Sequence, residues 1–407
     1  MELSSKKLNI PKLTLGGILV TLGVVYGDIG TSPLYVMKSV LHGNGGLDNV
    51  SENFILGTLS LVFWTLTILT SIKYVLITLR ADNNGEGGIF SLFTLIRKRS
   101  KWLVIPAMIG GSALLADGML TPAVTVTSAV EGLKLLPFFH DFFGSKQTNI
   151  VILVIFIVFT LFLIQHIGTE FIGRLFGPIM LLWFGSLALF GIMNLAGNLS
   201  LLRALSPHYA INVLFSAENK VGFFILGSIF LCSTGAEALY SDLGHVGRRN
   251  IYFTWPFIKI SLLLNYFGQG AWILSAKNDP SLALIEEINP FYQMIPQGFL
   301  VYSIIISTLA AIIASQALIS GSFTLVSEAI KLDLFPKLHT LYPSPFKGQL
   351  YIPAINRILC FVCIGIVLYF QSSVKMEAAY GLSITVTMLM TTILLFNFML
   401  KKKHRSY

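Results

Sequence analysis

Charge is what this chain has little of. Only 12% of its 407 residues are Asp, Glu, Lys or Arg, against roughly 25% in an average soluble domain. Another 54% are hydrophobic. That imbalance excludes an ordinary soluble interior and implies a polytopic membrane protein, whose core is a bundle of spans. Cysteine is scarce too: Cys232, Cys360 and Cys363 are the three present. Cys360 and Cys363 have CxxC spacing, but no second pair completes a four-cysteine zinc site. They lie in the apolar run 358–370 and read as buried thiols. Low-complexity tracts and linkers are absent, which leaves one domain over 1–407. Kinase, phosphatase and nucleotide-binding motifs are absent as well, so no enzyme and no cofactor is expected.

Basic residues outnumber acidic ones, 28 to 19, for a net charge of +9. In a soluble chain that excess would invite nucleic acid. Here it gathers at span ends, at Arg97, Lys98, Arg99 and Lys101, at Arg248 and Arg249, and at Lys401, Lys402 and Lys403. Such placement orients a membrane protein and argues for lipid, not nucleic acid, as the surrounding partner. Lys6, Lys7 and Lys12 before an apolar run mimic a signal peptide. No small-residue cleavage site precedes Asp28, so the segment reads as a retained first helix.

Runs long enough to cross a bilayer, at about 20 residues each, fall at 14–40, 54–79, 104–130, 149–166, 171–196, 220–241, 251–276, 297–320, 352–370 and 378–400. The segments 1–12, 80–103, 241–250, 321–351 and 401–407 are rich in Lys and Arg. The stretches 41–53 and 277–293 carry Asp48, Glu52, Asp279, Glu286 and Glu287 instead. The alternation predicts a multi-pass protein of the cell membrane with both termini cytoplasmic.

Two of the ten predicted spans are interrupted. Gly27, Gly30, Ser32 and Pro33 break the first, and Ser233-Thr234-Gly235 breaks the sixth. Each opens a block of five spans, at 14–196 and 220–400. Gly-interrupted spans at corresponding positions point to a two-repeat transporter. An odd number of spans per block requires the halves to be inverted. The expected fold is therefore all-α, an inverted five-plus-five repeat with broken first and sixth helices.

Asp28 sits in the first break, about fourteen residues and roughly 20 Å into its span. An acid at that depth is a functional candidate by default, as are Asp117 and Glu237; Lys259 is the deepest base. The bland reading is an acid paired with Lys259 to lock helices together. Around Asp28 lie the hydroxyls of Thr31, Ser32 and Tyr35, and carbonyls that Gly30 and Pro33 should free from the helical ladder. Oxygen ligands suit a hard cation, and carbonyls can replace a potassium hydration shell. Asp117, Thr121 and Thr125 share one helix face, and Thr234 stands three residues before Glu237. Any of these hydroxyls could instead only back-bond within its own helix. Buried acids near a cation can exchange a proton for its influence, the minimum machinery for coupling the two movements.

A second cluster, Arg80-Ala81-Asp82-Asn83-Asn84-Gly85-Glu86-Gly87-Gly88, permits close backbone approach or only a solvated turn. Asn265, Tyr266 and Gln269 form a polar stripe on the seventh span, open to helix-to-helix hydrogen bonding.

The run Gly27-Asp28-Ile29-Gly30-Thr31-Ser32-Pro33-Leu34-Tyr35 resembles the signature of the KUP/HAK/KT potassium uptake family. The likeness continues at 81–88, Leu120-Thr121-Pro122-Ala123, Gly235-Ala236-Glu237-Ala238-Leu239-Tyr240 and Asn265-Tyr266-Phe267-Gly268-Gln269-Gly270. It implies a bacterial potassium importer of the amino acid–polyamine–organocation superfamily, with the LeuT-like fold, driven by proton symport. The family's essential acids fall on Asp28, Asp117 and Glu237. Potassium contacts are implied at Asp28, Tyr35, Thr121, Thr125 and Thr234, with Asp28 the carboxylate that meets the metal ion. Relatives often have Glu where this chain has Asp117. They usually continue through two more spans and a cytoplasmic C-terminal domain, so those parts are expected to be absent here, and a homodimer to be weakened without them.

Two other functions fit the same spans. A proton-coupled amino-acid permease would present helix amides to a substrate carboxylate, which Asp28 would repel. A cation channel needs a continuous pore, and nothing here resembles a filter loop.

Overall fold

Hydrocarbon offers the backbone no hydrogen bonds, so apolar runs of this length can only become helices or a closed barrel. This chain is helical. The structure is a computed structural model that describes residues 13–139, 147–165, 170–277, 288–342 and 350–405. Among them, strand-like pairing is confined to isolated bridges at Asn83–Glu86 and Leu341–Tyr351. The basic stretch 1–12 and the acids Asp279, Glu286 and Glu287 lie outside the described residues.

The helices run α1 (Leu15–Val25), α2 (Gly27–Thr31), α3 (Val36–Gly43), α4 (Glu52–Thr65), α5 (Ile89–Ile96), α6 (Val104–Val130), α7 (Gln147–Ile164), α8 (Glu170–Leu195), α9 (Pro207–Phe215) and α10 (Ile225–Phe230). Then follow α11 (Ala236–Ser241), α12 (Leu243–Val246), α13 (Arg248–Ala276), α14 (Pro290–Gln293), α15 (Gln297–Lys331), α16 (Pro353–Phe370) and α17 (Ser373–Arg405). Thr14 caps α1 by accepting from the Gly17 amide at 3.0 Å, and Ser51 caps α4 the same way on Phe54. Beyond Thr65 the fourth helix loosens into a π-helical stretch, Leu66–Ile77, a form that appears often at functional sites.

Seven of these helices are long and apolar enough to cross a membrane, and α1 with α2–α3 makes an eighth, bent by 64°. Two of the ten predicted spans fail that test for physical reasons. The sixth is cut into short pieces, α10 and α11. The seventh, α13, is 29 residues long but carries Lys259, Asn265 and Gln269, which lower its hydropathy.

Both breaks have visible causes. In the first span the backbone turns at Tyr26 (φ −103°, ψ 9°), and Pro33 then tightens Ser32–Leu34 into a 3-10 turn. In the sixth, Thr234 is extended and Gly235 is left-handed at φ +76°, a conformation that costs any side chain with a Cβ. Helix α6 packs between α15 and α17, α8 packs against α1 and α13, and α2 crosses onto α15. That last crossing is close enough that a Cβ on Gly27 would stand 2.9 Å from the Ala314 Cα. The two breaks meet inside the bundle, where a Cβ on Gly235 would stand 3.1 Å from the Asp28 Cβ.

Among the described residues, Lys259 pairs with no acid. Its ammonium donates to Thr67 Oγ1 at 2.9 Å and lies 5.5 Å from the centre of the Phe63 ring. Cys232 and Cys363 are buried and Cys360 is half-buried, all three as free thiols.

Candidate functional site

The first break buries Asp28 completely and splits the fate of its two oxygens. Oδ1 accepts from the Tyr380 hydroxyl at 2.9 Å. Oδ2 is buried without a hydrogen-bond partner. An ideal Cβ built on Gly235 would sit 3.2 Å from that Oδ2 and 2.8 Å from the Ile29 amide nitrogen. The bare face of the second break is thus pressed against the unsatisfied acid of the first.

Tyr380 belongs to α17 and joins two of the predicted acids. Its hydroxyl lies 2.9 Å from Thr121 Oγ1, which is 3.2 Å from Asp117 Oδ1. Four oxygens, of Asp28, Tyr380, Thr121 and Asp117, stand in one chain. Tyr35 lies beside it, its ring 6.0 Å from that of Tyr380 and its hydroxyl 3.4 Å from Thr234 Oγ1. Thr125 points its hydroxyl back to the Thr121 carbonyl at 2.7 Å, as a helical threonine with no other task does.

Glu237 is held apart from this chain. The Tyr74 hydroxyl donates to its Oε1, and Thr391 Oγ1 donates to Oε2 at 3.1 Å. Lys73 stands behind Tyr74, donating to the tyrosine oxygen at 3.2 Å and to the Met388 carbonyl at 2.8 Å. Of the residues singled out by sequence, the structure brings Asp28, Asp117 and Thr121 together, sets Tyr35 and Thr234 alongside, and leaves Thr125 and Glu237 in separate hydrogen bonds.

The carbonyls expected to be freed for a cation are freed, but side chains occupy them. Thr31 donates to Asp28 O, Ser32 to Ile29 O, the Trp183 indole to Gly30 O at 2.8 Å and Gln269 Nε2 to Pro33 O at 2.9 Å. Tyr266 donates to Ser32 Oγ at 2.9 Å, and Asn265 accepts from Gln269 at 2.8 Å. The polar stripe of α13 is therefore divided: Tyr266 and Gln269 hold the broken helix, while Asn265 donates to the Leu187 carbonyl of α8 at 3.1 Å. Buried backbone groups must find partners somewhere; here they found them in α8 and α13.

The Ala81–Gly88 segment is neither a plain solvated turn nor a remote hinge. Asn84 and Glu86 face solvent, whereas Ala81, Gly87 and Gly88 are buried. The Tyr240 hydroxyl donates to the Ala81 carbonyl at 2.6 Å. Gly87 lies against the Tyr240 carbonyl, where a Cβ would collide. The loop grips α11 one turn beyond Glu237.

Sequence reasoning missed four contributors: Tyr380, Tyr74, Thr391 and the buried set Lys38, Glu131 and Glu377. Lys38 donates to Glu131 Oε2 at 2.8 Å and to Ser373 Oγ at 3.3 Å. Ser373 gives Glu131 both its amide, at 3.0 Å, and its hydroxyl, at 2.7 Å. One signal could have found several of these. Ser373, Glu377, Tyr380, Ile384, Thr387 and Thr391 recur at four- and three-residue intervals, one face of α17, and all six are buried.

A buried, hydroxyl-rich site between two broken helices, inside a bundle of membrane-crossing helices, defines a multi-pass membrane protein built around a polar centre. Its family follows from sequence comparison. A profile described as the K+ potassium transporter integral membrane domain matches residues 15–407, and the chain belongs to that family. A probable potassium transport system protein Kup of Clostridium perfringens (strain SM101) is 70% identical over 401 residues, covering 98% of this chain and 61% of the relative. Proteins of the same description from Enterococcus faecalis and Latilactobacillus sakei are 63% and 60% identical, covering 96% and 99% of this chain. This chain spans about three fifths of the length of those relatives, at 61%, 58% and 59%.

Proposed function

We propose that this chain is the transport domain of a potassium uptake system that carries the ion into the cell by proton symport. The names of its relatives supply the ion. The observation that carries the reading is the orphan Oδ2 of Asp28, an acceptor buried between two helix breaks beside hydroxyls. A carboxylate oxygen with no partner inside a membrane protein is costly, and an arriving cation removes that cost. Tyr35 and Thr234 stand on the same side as further oxygen ligands. Thr121 and Thr125 complete the set by turning their hydroxyls from present partners.

The proton follows from counting hydrogens. The chain Asp28–Tyr380–Thr121–Asp117 has three oxygen-to-oxygen links, of 2.9, 2.9 and 3.2 Å. Each link needs one hydrogen, and the two hydroxyls bring one each. The third must be a carboxyl proton, on Asp28 or on Asp117. Reversing both hydroxyls moves that proton from one acid to the other. A cation at Oδ2 favours ionised Asp28, which sends the proton to Asp117. Glu237, held by Tyr74 and Thr391, is the next acid toward the chain ends, where a proton would leave.

The architecture belongs to the same proposal. The blocks 14–196 and 220–400 are inverted repeats of an amino acid–polyamine–organocation type fold, with breaks at corresponding helices. The protein sits in the cell membrane with both termini cytoplasmic, so the face bearing Lys38 and Glu131 is extracellular.

Purified protein in liposomes tests the reading. Rubidium or potassium uptake should acidify the lumen and disappear in Asp28→Asn. Uptake with no proton flux overturns the symport; uptake that survives Asp28→Asn overturns the site.

A further inference from the structure

Among the described residues, the buried set on the far side of Asp28 holds two carboxylates, Glu131 and Glu377, and one ammonium, Lys38. Glu131 is fully engaged by Lys38 and by the amide and hydroxyl of Ser373. Glu377, one turn of α17 further on, is 1% exposed, and both of its carboxylate oxygens lack a hydrogen-bond partner. Lys38, Ser39 and Glu131 face it, and Ser39 spends its hydroxyl on Ser228 at 3.0 Å. Two carboxylates thus share one ammonium. A carboxylate buried with neither oxygen bonded is costly, and the neighbouring Lys38 offsets only part of that cost while it is bound to Glu131.

The position matters as much as the surplus. Glu377 precedes Tyr380 by three residues on the same buried face, about 4–5 Å along the helix axis. Tyr380 holds Asp28. A cation between Glu131 and Glu377 would therefore be one step from the Asp28 site, on the side away from both ends of the chain. The Lys38 ammonium stands at that place, 2.8 Å from Glu131 Oε2.

We propose that Glu131 and Glu377 form a second, outer subsite for a monovalent alkali cation, and that the Lys38 ammonium is its built-in stand-in. With Lys38 seated on Glu131, the outer subsite is plugged and the route to Asp28 is shut. When an external cation takes the carboxylates, Lys38 is displaced and the route opens. The exclusion is electrostatic and steric: ammonium and potassium carry the same charge and compete for the same oxygens. This inference rests on the reading of Asp28 as the inner site, and the test separates the two.

The 407-residue chain carrying Asp28→Asn, purified in detergent, removes the inner site from the measurement. Adding Lys38→Met should lower the melting temperature, because two buried carboxylates lose the ammonium beside them. Potassium or rubidium chloride should then restore several degrees in a saturable way, while N-methyl-D-glucamine chloride of equal ionic strength should not. Adding Glu377→Gln should abolish that cation-specific recovery. Equal recovery with N-methyl-D-glucamine, or recovery that survives Glu377→Gln, overturns the outer subsite. Should Lys38→Met fail to fold, Glu377→Gln alone in the otherwise native chain gives the answer in liposomes. The KM for rubidium uptake should rise at least fivefold; an unaltered KM overturns the proposal. Failure of the inner-site reading would show differently, as uptake retained by Asp28→Asn.

Discussion

Asp28 and Glu237 are both acids at breaks in transmembrane helices, and their surroundings differ in one respect. Glu237 has a hydroxyl on each oxygen, from Tyr74 and from Thr391. Asp28 has Tyr380 on one oxygen and nothing on the other. A satisfied acid can fix the distance between helices and hold or release a proton without rearrangement. An acid with an open oxygen has something left to bind. The open oxygen of Asp28 is what separates the two acids, and it is the basis for assigning the ion to Asp28 rather than to Glu237 in the proposed function.

Asp28→Asn should break this comparison most completely. Asn keeps an acceptor for Tyr380 and loses the charge, so rubidium uptake into liposomes should fall at least about 100-fold, on the order of 3 kcal/mol, with the fold intact by circular dichroism. Uptake near that of the unaltered protein would mean that the open oxygen is a defect of packing. Gly235→Ala comes next. It demands a left-handed residue with a Cβ and drives that Cβ toward Asp28 and the Ile29 amide. A cost of about 1–3 kcal/mol and a tenfold or greater loss of uptake are expected, the first read by thermal melting.

Two tyrosine variants sharpen the contrast. Tyr380→Phe should sever Asp28 from Thr121 and Asp117, leaving potassium uptake that no longer acidifies the lumen; tightly coupled proton flux in that variant would refute the proton chain. Tyr74→Phe should strip one bond from Glu237, costing about 1–3 kcal/mol of stability and leaving the potassium KM within about twofold. A large rise in KM would place Glu237 at the ion. The smallest effect belongs to Thr125→Val, whose hydroxyl only back-bonds to Thr121 O. A stability change within about 0.5 kcal/mol is expected, with the rubidium KM rising about twofold as one of the proposed ligand hydroxyls is lost.

Much of the fold was legible because hydrophobic runs and helix breakers act locally. Gly27, Gly30, Ser32 and Pro33 mark the first break in the chain's own residues, and Ser233-Thr234-Gly235 marks the second. Asp28, Asp117 and Glu237 stood out because an acid in an apolar run is conspicuous. What escaped was supplied across the bundle. Trp183 and Gln269 cap carbonyls more than 150 residues away in sequence, and no local pattern announces that. Tyr380 was hidden for another reason: a tyrosine in an apolar helix passes as packing until its hydroxyl is seen. Lys38, Glu131 and Glu377 were lost to bookkeeping of ends, since spans drawn to 40, to 130 and from 378 left them at or beyond the boundary. Helices α3 and α17 and the 3-10 turn that follows α6 carry them inward, where they meet.

The buried face of α17 has a mechanical consequence. Ser373, Tyr380 and Thr391 latch onto Glu131, Asp28 and Glu237 in turn, three acids at three depths gripped by one rod. A rotation of α17 by a single residue, about 100°, would spring all three latches together. The three acids are therefore geared to one shaft, and under the proposed function a turn of α17 would act on gate, ion and proton together.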